Sequence, residues 1–186
     1  NGAILGYSDL IGDGTQIGRI SDIVCLPNGT ILGSANDLNN NGESLLVQID
    51  PTNPTNGSVV IGAITVNAGV ERISDLAYDE TNEILYGVEN SNGESIVVIN
   101  TTTGAATELP NGHGLDDEPA SLAFDNVNGI LYLSSSNDEL ATVNTTTGVA
   151  TPIAAESSDI IGMDFHPVTN ELFASERSGR LDEGGL

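Results

Sequence analysis

The chain has 186 residues, enough for one domain, and carries 27 acidic residues against four basic ones, a formal net charge of −23. Such a surface repels nucleic acid and anionic membranes, and no apolar run reaches the roughly 18 residues of a membrane-spanning helix, so neither nucleic-acid binding nor membrane insertion is expected. Aromatic residues make up only 4% and Trp is absent, so the core must be mainly aliphatic.

Taken in chain order, the sequence reads as a repeated set of short strands. Ala3-Ile4-Leu5-Gly6-Tyr7 and Thr15-Gln16-Ile17-Gly18 resemble the second half of a four-stranded unit, giving an N-terminal half over 1–18. Ile20-Ser21-Asp22-Ile23-Val24-Cys25-Leu26 then opens a first whole unit over about 19–66, continued by Gly29-Thr30-Ile31-Leu32-Gly33 and Leu45-Leu46-Val47-Gln48-Ile49-Asp50. A second, over about 72–110, reads Ile73-Ser74-Asp75-Leu76-Ala77-Tyr78-Asp79, Asn82-Glu83-Ile84-Leu85-Tyr86-Gly87, Ile96-Val97-Val98-Ile99-Asn100 and Thr101-Thr102-Thr103-Gly104-Ala105-Ala106-Thr107. The third, over about 119–155, repeats it as Ser121-Leu122-Ala123-Phe124-Asp125, Gly129-Ile130-Leu131-Tyr132, Leu140-Ala141-Thr142-Val143-Asn144 and Thr145-Thr146-Thr147-Gly148-Val149-Ala150-Thr151. Ile160 to Pro167 and Asn170-Glu171-Leu172-Phe173-Ala174 begin a last half over 159–186, whose tail Leu181 to Leu186 looks like a third strand cut short.

The step from Asn100 to Asn144 is 44 residues, and a period of that size built from short strands is the pattern of β-propeller blades. The fold expected is therefore all-β, a propeller of four-stranded antiparallel blades. Three whole blades and one shared between the two ends would close a four-bladed ring; the same halves also suit a larger propeller, or an open edge that pairs with another copy. Asn, Asp, Gly and Thr fill the turns, as backbone-bonding and positive-φ positions require. No helical period with caps is present, so helix content should be very low.

Two places carry candidate chemistry. Asp37-Leu38-Asn39-Asn40-Asn41-Gly42-Glu43 matches the first half of a calcium loop, with hard oxygen donors at alternate positions (Asp37, Asn39, Asn41) and Glu43 after the turn glycine. The twelfth position, where a bidentate Glu belongs, is Gln48, expected inside a strand; the same residues also suit a plain Asn-Gly hairpin turn. Asn90 to Glu94 and Asn137-Asp138-Glu139 are weaker copies. The second place is the channel mouth, where the innermost strands present Asp22, Asp75, Ser121 and Gly162 at equivalent positions. Asp22 and Asp75 there suit a cation, or a pair sharing a proton, or two carboxylates that each bond their own loop. The run Asp116-Asp117-Glu118 reads as a solvated loop.

Other polar residues read as structural. Cys25, the only cysteine, is expected as a small buried side chain. His113 falls in the flexible loop Asn111-Gly112-His113-Gly114, and His166 stands where the earlier repeats have Asp79 and Asp125, as a turn residue. No nucleophile–base pair, phosphate loop or zinc pattern has a defensible spacing. Asn28, Asn56, Asn100 and Asn144 begin Asn-x-Ser/Thr sequons, acceptors for glycans in a secreted protein. With the acidic surface they fit an extracellular or cell-surface setting.

The elements Ile73-Ser74-Asp75-Leu76-Ala77-Tyr78-Asp79, Asn82-Glu83-Ile84-Leu85-Tyr86-Gly87 and Ile99-Asn100-Thr101-Thr102-Thr103-Gly104-Ala105-Ala106-Thr107 resemble the NHL/YVTN type of extracellular propeller repeat. The resemblance covers nearly the whole chain, but these motifs specify a blade rather than a reaction. It implies secreted binding and scaffold proteins, surface-layer components and calcium-dependent lactonases, whose channel metal is held by acidic and amide side chains. Asp22 and Asp75 would fill that role here, whereas Ser121 and Gly162 depart from a full ligand ring. The function expected is a non-catalytic structural or binding propeller, with a protein partner or self-association and calcium as a stabilising ion. The alternative is a calcium-dependent lactonase or esterase working at the channel mouth.

Overall fold

The computed structural model describes residues 17–39, 43–52, 58–66, 69–70, 72–89, 95–115, 118–135, 139–155 and 160–176. All regular structure among them is β. The first sheet is a meander of β1 (Ile17–Cys25), β2 (Ile31–Asp37), β3 (Ser44–Ile49) and β4 (Val59–Ala63). After it come β5 (Thr65–Val66) and β6 (Gly69–Val70), then the second meander, β7 (Ile73–Asp79), β8 (Ile84–Glu89), β9 (Ile96–Ile99) and β10 (Ala105–Glu108). The third sheet holds β11 (Pro119–Asp125), β12 (Ile130–Ser135), β13 (Glu139–Val143) and β14 (Ala150–Ala155), and β15 (Ile160–Phe165) with β16 (Leu172–Glu176) form a two-stranded fourth. This is the blade pattern of a β-propeller.

The repeat fixes the register. Asp22 pairs with Ser34, Asp75 with Val88, Ser121 with Ser134 and Gly162 with Ser175. Each inner strand carries a register shift just before or at this pair, a bulge that turns the strand at the same point in every sheet. The inner strands β1, β7, β11 and β15 stand side by side in that order. Side chains alternate between the two faces of each sheet, so the core is divided into slabs between successive sheets. Leu32, Leu46, Leu76 and Leu85 belong to the slab between the first and second sheets. Tyr86, Leu122, Phe124 and Leu131 belong to the next, and Ala123, Ile160 and Met163 to the last.

The turns use one device in several chemistries. Asp79 Oδ1 accepts the N–H groups of Thr81 and Asn82, both at 3.0 Å, and Asp125 Oδ1 those of Val127 and Asn128 at 3.0 Å. His166 does the same through Nδ1, accepting from Val168 at 3.2 Å and Thr169 at 3.1 Å, so the imidazole replaces a carboxylate in the turn as the repeat predicts. Asn100 and Asn144 close the Thr-Thr-Thr-Gly turns through Oδ1.

Several expectations are corrected. Ile17 and Gly18 belong to the inner strand of the first sheet, pairing with β2, not to a preceding half-unit; the remainder of that half lies outside the described residues. Thr65–Val66 leaves the first sheet and pairs in parallel with Ala105–Ala106, so the second sheet has six strands in the order β6-β5-β10-β9-β8-β7. Cys25 is exposed rather than buried, because the face of β1 it shares with Ile23 has no sheet against it among the described residues. His113 is not in a free loop: it is 4% exposed, its Nδ1 accepts the Leu115 N–H at 3.1 Å, and its carbonyl accepts the Ala150 N–H at 2.8 Å. The tail 181–186 and the loops 90–94, 116–117 and 136–138 lie outside the described residues.

Candidate functional site at the inner strands

Where the four inner strands converge they bound a cleft of about 570 Å³. Its lining follows the repeat. Asp22, Ile23 and Cys25 come from β1, Leu76 and Tyr78 from β7, Leu122 and Phe124 from β11, Met163 and Phe165 from β15.

Asp22 lines this cleft and bonds to the buried Asp75, but the first task of both is mechanical. Asp22 Oδ2 accepts the backbone N–H of Leu76 at 2.9 Å, and Asp75 Oδ2 accepts that of Leu122 at 2.7 Å. Each carboxyl therefore reaches one sheet onward and holds the inner strand next to it. This differs from bonding its own loop. Asp75 is 7% exposed. Burial, then a hydrogen bond to Asp22 and repulsion from its charge, push its pKa up to about 9, against smaller opposing effects of Ser121 and the Leu122 N–H. Asp75 thus carries a proton at neutral pH and donates it in a hydrogen bond to Asp22. The Ser121 hydroxyl is fully buried and makes no hydrogen bond of ordinary geometry, yet it lies close enough to the Asp75 carboxyl to favour its ionised form slightly.

The carboxyl pair thus joins three successive inner strands, and the other two equivalent positions, Ser121 and Gly162, offer one hydroxyl and no side chain. Among the described residues no three His, Cys, Asp or Glu side chains come together as a metal-binding group.

At the other candidate, Asp37 is buried at the end of β2. Its Oδ1 accepts the Asn39 N–H at 2.8 Å, and its own N–H donates to the Glu43 carbonyl at 2.7 Å. Asp37, Asn39 and Glu43 are thereby gathered around one hairpin, whose remaining predicted donor, Asn41, lies outside the described residues. Gln48 sits in β3 as expected, exposed. Asn28 accepts the Thr30 N–H through Oδ1 at 2.9 Å, so Asn28, Asn100 and Asn144 all serve turns through the amide oxygen; Asn56 lies outside the described residues.

The contacts that sequence reasoning missed are those between sheets. Ser34 Oγ donates to the Ile73 carbonyl at 2.9 Å while Ser44 Oγ accepts the Ile73 N–H at 2.9 Å, and Ser134 Oγ donates to the Ile160 carbonyl at 3.1 Å. Asn126 accepts the Glu80 N–H and donates to the Tyr78 carbonyl, and Asn170 donates to Asp125. Ser34 and Ser134 occupy the same repeat position, which is the signal that would have found them.

Three comparisons bear on this architecture. No curated protein sequence matches the chain. Among solved structures it is similar to a protein of unknown function from Bacteroides thetaiotaomicron, with a TM-score of 0.60 and 16% identity over 92% of this chain and 42% of that one. It is also similar to a gluconolactonase from Xanthomonas campestris, with a TM-score of 0.65 and 13% identity over 93% of this chain and 58% of that one. These likenesses establish the fold, and the chain spans about half the length of either protein. Residues 11–162 match a repeat family of unknown function, DUF6923. The chain belongs to this repeat family, and its repeats are propeller blades.

Proposed function

We propose that the chain is a non-catalytic extracellular propeller of the NHL/YVTN type that serves as a structural or binding module. The observation that carries this reading is the use of Asp22 and Asp75. Both carboxyls at the channel mouth are committed to the N–H of the neighbouring inner strand, at 2.9 and 2.7 Å. A group that holds the scaffold together, and in Asp75 keeps its proton to about pH 9, is a poor general base at neutral pH. Calcium enters as a stabilising ion at the Asp37–Glu43 hairpin, and the sequon asparagines as glycan acceptors on an acidic outer surface. A propeller's blades supply rigidity, and its face loops supply recognition.

The test is turnover. The purified chain is incubated with a panel of lactones and esters, with and without added calcium. The expected result is no hydrolysis above the buffer rate. Calcium-dependent hydrolysis that Asp22→Asn abolishes would overturn the reading in favour of a lactonase or esterase at the channel mouth.

A further inference from the structure

One turn closes three of the sheets with the same backbone, and only one of its three acceptors can be switched off by a proton. Asp79, Asp125 and His166 begin it. Its last residue stands in the left-handed region each time, Glu83 at φ +57°, Gly129 at +69° and Asn170 at +56°. Asp79 and Asp125 each accept two backbone N–H groups through Oδ1. A carboxyl group keeps an acceptor lone pair whether or not it is protonated. An imidazole does not. His166 Nδ1 accepts the N–H groups of Val168 and Thr169 at 3.2 and 3.1 Å, so it bears no hydrogen, and its one in-plane lone pair serves both donors. In the neutral ring the other nitrogen already carries the hydrogen. A second proton therefore lands on Nδ1 and turns the acceptor into a donor that faces two donors.

This turn is tied to the sheet before it. The Asn170 side-chain N–H donates to Asp125 Oδ1 at 3.0 Å, which fastens the fourth sheet to the third. The Asn170 backbone N–H donates to the His166 carbonyl at 2.9 Å. His166, Pro167 and Asn170 also line the cleft between the inner strands. The titratable groups on the elements around the turn are Asp164 on β15, Glu171 ahead of β16, Asp125 at the end of β11, and Asp22, Cys25, Tyr78 and Glu80 along the cleft. None of them is a cation, so no neighbouring positive charge opposes a proton arriving at the ring.

We infer that mild acid opens the His166–Asn170 turn: a proton on His166 Nδ1 frees the Val168 and Thr169 N–H groups, and the bond from Asn170 to Asp125 is lost with the turn. The closed turn holds one proton fewer than the open one, so closure is favoured as pH rises and lost as pH falls through the histidine range, roughly 7 to 5. The cleft wall then differs between neutral and mildly acidic surroundings, while the turns closed by Asp79 and Asp125 stay as they are. The inference is independent of the proposed binding role and needs no partner.

Imidazole nitrogen NMR and amide exchange test it. The chain has two histidines, and His166→Asp identifies the His166 signals by their loss. At about pH 7.5 His166 should be the neutral ring with its hydrogen on Nε2; a hydrogen on Nδ1 would overturn the inference. Exchange of the Val168 and Thr169 amides, corrected for the intrinsic effect of pH, should speed up by about tenfold or more between about pH 7.5 and 5.5 in the parent. His166→Asp installs the acceptor that the second and third sheets use, and protection of the same amides should then stay constant over that range. Equal responses in parent and variant, or no response in the parent, would overturn the inference. The parent also carries its own control, which serves if the variant does not fold. The Asn82 and Asn128 amides, held by Asp79 and Asp125, should keep their protection while Val168 and Thr169 lose theirs, and a loss at all three turns together would overturn the inference.

Discussion

Asp75 holds Leu122 across a sheet boundary: its carboxyl oxygen takes the backbone N–H of the neighbouring inner strand at 2.7 Å, repeating the bond from Asp22 to Leu76 one sheet earlier. An acidic residue in such a place costs little only because it is protonated and fully bonded. Removing the side chain exposes that dependence. Asp75→Ala leaves the Leu122 N–H buried without its partner and should cost about 1–3 kcal/mol in urea unfolding. Asp75→Asn keeps an acceptor for that N–H and an N–H donor for Asp22, and should unfold within about 1 kcal/mol of the parent at pH 7.

The same residue sets a pH dependence. Folded Asp75 releases its proton near pH 9, whereas its ordinary value is 3.8, so between these values the folded chain binds the extra proton. Its contribution is complete below the lower value and is lost as pH rises through the upper one. Unfolding free energy should therefore fall with rising pH more steeply in the parent than in Asp75→Asn. The difference between the two curves, measured across that window, isolates the Asp75 proton from the general repulsion of the acidic surface. Parallel curves would show that Asp75 titrates normally.

The aromatic junctions should be unequal in a predictable way. Tyr86→Ala removes a 2% exposed ring from the stack on Phe124 and should destabilise by about 3–5 kcal/mol. Phe173→Ala, at the same repeat position but 59% exposed, should change the stability of the dilute chain by about 0.5 kcal/mol or less. Thermal or urea melts of both variants at low protein concentration decide the matter.

Gly148 closes its Thr-Thr-Thr-Gly turn at φ +87°, and a Cβ there would run into the backbone carbonyl of Asn111 in the segment that follows β10. Gly148→Ala should cost about 2 kcal/mol or more, combining left-handed strain with that overlap. Gly29→Ala has nearly the same φ, +84°, but open space around it, and should cost only about 1 kcal/mol. The gap between the two melts measures how tightly the turn is pressed against its neighbour.

The strands, their order and the turn chemistry were legible in the sequence because they are local. Alternation marks the faces, and a side-chain acceptor marks each turn. The exchange of Asp for His at position 166 was readable because the repeat supplied the comparison. What one blade does to the next was not legible. The bonds from Asp22 to Leu76 and from Ser34 to Ile73 join residues 54 and 39 positions apart, and nothing local says whether a carboxyl at a strand start will turn to its own loop or to its neighbour. The exposure of Cys25 was missed for a related reason. Its own strand pairs normally with β2 at that point, and burial depends on whether another sheet lies beyond it. His113 was misjudged because flanking glycines suggest freedom, whereas the chain there is pinned by the third sheet through the Ala150 N–H.

The parallel pairing of Thr65–Val66 with Ala105–Ala106 has a consequence for how such a chain can be lengthened. The segment that leaves the first blade runs straight into the rim of the second, so the second sheet occupies one stretch of chain, 65–108, in which its first strand lies beside its last. A duplication cut between Ala63 and Thr65 would deliver a sheet that carries its own rim pairing, whereas a cut just before β7 would deliver a copy lacking it. Growth of the repeat by tandem duplication would then favour breakpoints just ahead of the rim strand.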